Sequence, residues 1–327
     1  MNKRKLGFSD LSLTTIGFGA WAIGGEKGEW GWGHQDDSES VAAIHKALDL
    51  GINWIDTAAV YGLGHSEQVV GKAIQGRRDQ VTIATKCGLV WEEGGKGESF
   101  NRLKAWSVRK EAENSLRRLG VDVIDLYQIH WSAPDEDIEE GWTEIAKLIE
   151  EGKVRYGGLS NFDVSQIKRC QAIHPIASLQ PPYSMLERGI ETDLIDYCAQ
   201  NAIGIVAYSP MVSGLLTGKF THERLASLPN DDWRRDKGDH FQEPEFSINL
   251  DLVESLSAIA KRYNRSVGEL AVAWVLRQPQ VTSAIAGARR PDQITQIAPA
   301  GDWTLSTQNL AEIEALLKQR EERLKQA

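Results

Sequence analysis

Cysteine is scarce in this chain of 327 residues: there are three, Cys87, Cys170 and Cys198, far apart and with no C-x-x-C pair. An odd, scattered set excludes a disulfide framework and a cysteine-based zinc site. Long apolar runs are missing too. No stretch approaches the roughly 18 uninterrupted apolar residues of a membrane-spanning helix, and the opening MNKRKLGFSDLSLT has basic residues but no apolar signal-peptide core. A cytoplasmic protein is expected. Positive charge is in deficit, with 37 Lys and Arg against 46 Asp and Glu and a formal net charge of -9. Neither nucleic acid nor an anionic membrane surface is therefore expected as a partner. Also absent is any Ser/Pro-rich linker or shift in composition, and 41% hydrophobic with 25% charged residues reads as globular throughout.

What is present is alternation. Short, β-branched apolar runs end near Gly19, Asp56, Lys86, His130, Ser160, Gln180, Ser209 and Gly287, separated by longer amphipathic segments. Examples of helical spacing are Val41, Ile44, His45 and Leu48 before Gly51; Val108, Ala112, Leu116 and Leu119 before Gly120; and Ile145, Leu148 and Ile149 before Gly152. Eight βα units in a row without a linker predict one closed (β/α)8 TIM barrel, a single domain over residues 1–327. Three segments fall outside the repeat. RKLGFSDLSLT reads as an N-terminal hairpin, and LAEIEALLKQREERLKQ as a C-terminal capping helix that frays into charge. The stretch from about Met211 to Asn249, carrying DDWRRDKGDH, reads as a long loop between the seventh strand and its helix. Loops after barrel strands build the active face, so this one is a candidate lid.

Two motifs mislead. Gly17-Phe18-Gly19-Ala20-Trp21-Ala22 has the glycine spacing of a Rossmann turn, but IGGEKGEWGWG follows where a helix would have to open. Gly214-Leu215-Leu216-Thr217-Gly218-Lys219-Phe220 is one residue short of a Walker A loop and lacks the hydroxyl after the lysine. Its glycines, amides and Lys219 still suit a pyrophosphate. A metal-dependent hydrolase needs histidines and carboxylates clustered at strand ends, and of seven histidines only His130 closes a strand, so no metal is expected.

Four polar residues stand at or just past successive strand ends: Asp56 with Tyr61, then Lys86, then His130. In a barrel those ends share one face. Each has a bland reading, as a turn cap, a packed aromatic, a solvated strand end or a core histidine. Burying Asp56 or Lys86 alone is costly, so the two are expected to pair. A lysine beside a tyrosine hydroxyl pulls the phenol toward working pH, which makes the set an acid–base system.

Asp56-Thr57-Ala58-x-x-Tyr61-Gly62, Ala84-Thr85-Lys86 and Ile124-Asp125-Leu126-Tyr127-x-x-His130 resemble the catalytic tetrad of the aldo-keto reductases. The resemblance continues through GGLSNF at 157–162, Gln180, Tyr208-Ser209-Pro210 and Ile285-Ala286-Gly287-Ala288-Arg289. It implies reversible, metal-free, NADPH-dependent reduction of an aldehyde or ketone to an alcohol, with hydride leaving nicotinamide C4. Tyr61 is then the general acid, Lys86 tunes it, Asp56 holds Lys86, and His130 orients the carbonyl. By the same resemblance Gly19, Ala20, Trp21 and Asp56 lie against the cofactor. Ser160, Asn161 and Gln180 hold the carboxamide, and Tyr208 stacks on the nicotinamide. Ser209, Pro210, Met211, Gly214, Leu215 and Lys219 form the pyrophosphate loop. Gly287, Ala288, Arg289 and Gln293 face the adenosine end, where a guanidinium suits the 2′-phosphate of NADPH. The chain departs from many members in carrying Gln296 and Ile297 where they have Glu and Asn for adenine.

Seven of the 11 tryptophans, Trp21, Trp30, Trp32, Trp91, Trp106, Trp131 and Trp233, fall in the expected loops after strands. Trp21, Trp91, Trp131 and Trp233 are read as lining an apolar pocket for an aryl or medium-chain aldehyde, while rim packing accounts equally well for Trp30, Trp32 and Trp106. Within the family the chain resembles the microbial branch that includes an inositol-operon reductase, and also potassium-channel β subunits. The latter likeness supplies the alternative function, an NADPH-binding redox sensor with slow turnover. A small-molecule carbonyl substrate and a monomer are expected.

Overall fold

The alternating apolar runs become strands and the helically spaced segments become helices. In the computed structural model, which describes residues 1–28, 30–92, 97–229, 232–236 and 238–327, the strands are β1 Lys3–Lys5, β2 Ser12–Thr14, β3 Ile16–Gly19, β4 Trp54–Asp56, β5 Thr82–Cys87, β6 Leu89–Trp91, β7 Ser99–Asn101, β8 Ile124–Ile129, β9 Val154–Ser160, β10 Ser178–Gln180, β11 Gly204–Ala207 and β12 Val281–Gly287. The helices are α1 Asp37–Asp49, α2 His65–Ala73, α3 Ala105–Leu119, α4 Ile138–Glu150, α5 Val164–Gln171, α6 Leu194–Gln200, α7 His222–Ala226, α8 Trp233–Asp236, α9 Glu245–Lys261, α10 Val267–Leu276, α11 Pro291–Ile297 and α12 Thr307–Leu324. Strands β3, β4, β5, β8, β9, β10, β11 and β12 pair in that order, all parallel, and β12 returns to β3 to close the barrel. Each ends within two residues of its expected position.

Local signals place the helices. Asp36 accepts the amide of Ser38 to start α1, capping boxes at Asp163–Gln166 and Ser266–Glu269 start α5 and α10, and left-handed Gly120 ends α3. The helices pack Ile, Leu and Val side chains onto the outside of the barrel in one continuous core. Inside, a second cluster fills the N-terminal half: Leu6, Leu11 and Leu13 of the β1–β2 hairpin meet Trp54, Ala84, Leu126 and Val206. Gly17 makes room for Trp54, because a Cβ there would sit 2.1 Å from the indole. The apolar plug closes that mouth, and β4, β5 and β8 finish at the other end, carrying Asp56 and Lys86 there.

Two expectations are corrected. The stretch from 211 to 249 is not a bare loop. It holds a tight turn at Val212–Thr217, α7, α8 and a turn at Asp239–Phe241, and α9 starts at Glu245. Thr221 caps α7, and Phe220, Phe241 and Phe246 pack against one another, with ring centroids 5.0 and 6.1 Å apart, and join the stretch to the main core. Residues 230, 231 and 237 of this stretch lie outside the described ones. The C-terminal helix also does not fray where its charges begin. Arg320 is half-buried against α9, donating to Asn249 Oδ1 at 2.7 Å and Glu245 Oε1 at 2.5 Å, and α12 runs on to Leu324. No described helix is long and apolar enough to cross a membrane.

Candidate active site

At the ends of β4 and β5 the structure brings Asp56, Tyr61 and Lys86 together. Lys86 is fully buried, and each of its three N–H groups has an acceptor: Asp56 Oδ2 at 2.7 Å, the Thr57 carbonyl at 2.9 Å and the Tyr61 hydroxyl at 3.2 Å. The other oxygen of Asp56 accepts Gln180 Nε2 at 2.7 Å, so the carboxylate is held from both sides. The Tyr61 and His130 rings meet edge to face at 5.7 Å.

Burial alone would push the Lys86 ammonium down, but Asp56 and Tyr61 hold its proton and the net direction is up. For Tyr61 burial is the larger effect. It pushes the phenol up, Lys86 pulls it down, Asp56 pushes it up again, and the result lies above an ordinary tyrosine. This corrects the expectation of a phenol drawn down toward working pH. His130 lies well below an ordinary histidine, first through burial and then through the charge of Lys86, so its imidazole is neutral at working pH.

The next strand ends extend the floor. Ser160 Oγ donates to the Gln180 carbonyl at 2.8 Å. Asn161, in a left-handed conformation (φ 61), donates to the His130 carbonyl at 2.9 Å and accepts the Tyr208 hydroxyl at 2.9 Å. Capping of α5 falls to Asp163, so Asn161 is free of that role and turns inward. Beyond β11, Ser209, Val212, Ser213 and Gly214 all have positive φ, at 54, 48, 50 and 96°. Each non-glycine residue held so costs on the order of 1 kcal/mol, a cost that gathers at ligand clamps. Lys219 reaches Gln296 Oε1 at 3.2 Å across the far end of this groove. Gly287 lies open at the end of β12, beside buried Ala288.

Arg289 is placed differently from the expectation of a free phosphate ligand. Its guanidinium donates to Gln35 Oε1 at 2.5 Å, to the Trp32 carbonyl at 3.0 Å and to the His34 carbonyl. Gln293 accepts the Arg289 amide at 2.7 Å.

Aromatic rings roof the site. Trp21 stacks on Tyr61 (6.2 Å) and on Trp233 (5.8 Å), Trp32 meets both Trp21 and Trp233 edge-on, and Trp131 stacks on His130 at 6.4 Å. Trp91 lies on β6, opposite Ser99 of β7, in the hairpin that follows β5, and joins none of these rings among the described residues. Trp106 is in the first turn of α3 and 59% exposed, so it lies on a helix rather than in a loop. Sequence reasoning missed Thr57, Gln128 and Gln35. Gln128 precedes His130 by two residues on the inward face of β8 and accepts Ser178 Oγ at 3.3 Å, a position that strand alternation would have flagged. Nothing in the sequence marks Gln35.

The chain matches the model of the Aldo/keto reductase family over residues 15–318. It is 41% identical over 311 residues to aldo-keto reductase YhdN of Bacillus subtilis (strain 168), covering 94% of this chain and 91% of that protein. It is 36% identical over 321 residues to the NADH-specific methylglyoxal reductase of Escherichia coli (strain K12), covering 94% and 95%. Among solved structures it is similar to the glycerol dehydrogenase AKR11B4 from Gluconobacter oxydans, with a TM-score of 0.88, 37% identity and coverage of 97% and 95%. It is also similar to the aldo-keto reductase AKR11C1 from Bacillus halodurans in its holo form, at 0.81, 30%, 97% and 96%. With these matches and the closed barrel that carries them, the chain belongs to the aldo/keto reductase family, oxidoreductases that act on carbonyls.

Proposed function

We propose that this protein reduces an aldehyde or ketone to the alcohol with NADPH, with Tyr61 as the proton donor and an apolar or aromatic aldehyde as substrate. One observation carries the reading. Lys86 spends its three N–H groups on Asp56, Thr57 and the Tyr61 oxygen, so the phenol accepts from Lys86 and its own O–H is left to donate to a substrate. The chain's residues fit a nicotinamide coenzyme. The left-handed run at 212–214 suits a pyrophosphate, Tyr208 offers an aromatic ring beside Asn161, and Gln296, the partner of Lys219, also lines an open cavity of about 520 Å³ with Tyr263, Arg265, Ser266, Glu269 and Thr295, large enough to take the adenosine end. Arg289 and Arg290 add positive charge near there, which favours a 2′-phosphate. When bound, the coenzyme supplies the hydride that reaches the carbonyl carbon.

The protein's own part is then proton transfer and charge stabilisation. As negative charge grows on the carbonyl oxygen, Tyr61 gives it a proton and neutral His130 offers a second donor to the same oxygen. The phenolate left behind keeps its bond from Lys86, whose ammonium is fixed by Asp56, and Asp56 by Gln180. The stacked tryptophans exclude water from that exchange and offer an apolar wall to the substrate.

The test follows the reduced-nicotinamide absorbance with NADPH and with NADH against aromatic, aliphatic and sugar aldehydes. Fast, multiple-turnover oxidation of NADPH with benzaldehyde is expected. Equal kcat/KM for benzaldehyde and a charged aldose would overturn the apolar pocket, equal rates with NADH would overturn the coenzyme preference, and tight binding without turnover would put the redox sensor in place of the reductase. The pH profile is a second expectation. Tyr61 reduces only as the neutral acid, and burial holds it above the ordinary value of about 10, so kcat for reduction should stay level across neutral pH and fall only above about 10. Alcohol oxidation should rise over the same range. A fall centred near pH 8 would show the phenol drawn down after all.

A further inference from the structure

We propose that Arg289 is a positioning residue for the carbonyl pocket: it fastens the tryptophan-bearing loop between β3 and α1 over Tyr61, a role separate from holding coenzyme phosphate. This rests on the reductase reading above. The fastening is reciprocal. Arg289 donates to Gln35 Oε1 and to the carbonyls of Trp32 and His34, while Gln35 Nε2 returns a bond to the Arg289 carbonyl at 3.0 Å and another to Ser40 Oγ of α1 at 2.9 Å. A planar guanidinium with three separate acceptors fixes the loop in position and direction, which a lysine cannot do.

What this fixes is Trp32. Its amide donates to the Gly25 carbonyl at 3.0 Å, its carbonyl accepts from Arg289, and its ring lies edge-on to Trp21 and Trp233 at 5.2 and 6.1 Å. The opposite cover comes from Arg234, with its guanidinium 4.6 Å from the indole centroid and its charge held by Asp232 at 2.6 Å. Trp32 is therefore the piece by which the β3–α1 loop and the α7–α8 stretch grip one another over Trp21 and Tyr61. Arg289 holds it from the coenzyme side. Releasing Arg289 should loosen the wall that the carbonyl substrate packs against, even with a coenzyme that has no 2′-phosphate.

NADH is therefore the discriminating coenzyme. With it, Arg289→Lys and Gln35→Leu should each raise KM for benzaldehyde about tenfold, the size expected for losing charge-assisted hydrogen bonds, with kcat within about twofold. The Kd of NADH should stay the same in Gln35→Leu, which leaves the coenzyme groove intact. Wild-type KM in both variants with NADH, with losses confined to NADPH in Arg289→Lys, would overturn the proposal and leave Arg289 as a phosphate ligand. Hydrogen exchange at the Trp32 amide gives a readout free of turnover. Faster exchange in both folded variants supports the fastening, and unchanged exchange overturns it. If wild type turns over no carbonyl with either coenzyme, the reductase reading fails and the exchange result still decides this one.

Discussion

Replacing Tyr61 by Phe should lower kcat for carbonyl reduction by about 10²–10⁴-fold, the range that a positioned proton donor contributes, while the Kd of the coenzyme moves by less than about twofold. The phenyl ring keeps the contacts that the tyrosine ring makes with Trp21 and His130, so the pocket wall survives. What is lost is one hydroxyl, which receives a bond from Lys86 at 3.2 Å and has its own proton to give. Stability should change little beyond the cost of one unsatisfied donor on Lys86, about 1–3 kcal/mol. Single-turnover reduction of benzaldehyde, read beside coenzyme titration, checks this. Loss of coenzyme affinity with kcat unchanged would place Tyr61 in binding rather than in proton transfer.

The parts of this site that the sequence showed are those where local chemistry conflicts with its surroundings. Asp56 and Lys86 each end an apolar run, and a charge there has to find an opposite one, so the pair was legible 30 residues apart. The barrel was legible for a similar reason, because strand ends and helix stops carry their own signals in Gly, Asp and Ser. The direction of the Tyr61 shift was not. Its neighbour Lys86 shows in the sequence, whereas the burial that outweighs Lys86 exists only once Trp21 and Trp233 are stacked above it. Gln180 has the same lesson. Strand position put it on the active face, but the bond of its Nε2 to Asp56, 124 residues away, depends on how β10 and β4 face each other across the barrel. Arg289 was read from the family resemblance and its charge, and its partners are two backbone carbonyls and a glutamine that neither can mark. Whether Trp32 faces the site or packs the rim was left open by the sequence, because loop membership says nothing of which way a loop folds; the structure sets its ring against Trp21 and Trp233.

Replacing Lys86 by Met should be the most damaging single change in the chain, to stability as well as to rate. The side chains of Lys86 and Asp56 are 0% and 4% exposed, so the substitution strands a buried carboxylate with Gln180 as its remaining side-chain donor. Leaving one partner of a buried pair uncompensated costs about 3–5 kcal/mol. The same change removes the group that stabilises the Tyr61 phenolate, so reduction should fall at least as far as in Tyr61→Phe. The two effects separate in the double variant Asp56→Asn with Lys86→Met. There no charge is left buried, and the midpoint of urea unfolding should recover much of its loss while activity stays absent. Equal unfolding midpoints for the single and double variants would mean that the Lys86–Asp56 pair carries no net share of stability and that its whole use is in holding the tyrosine's proton.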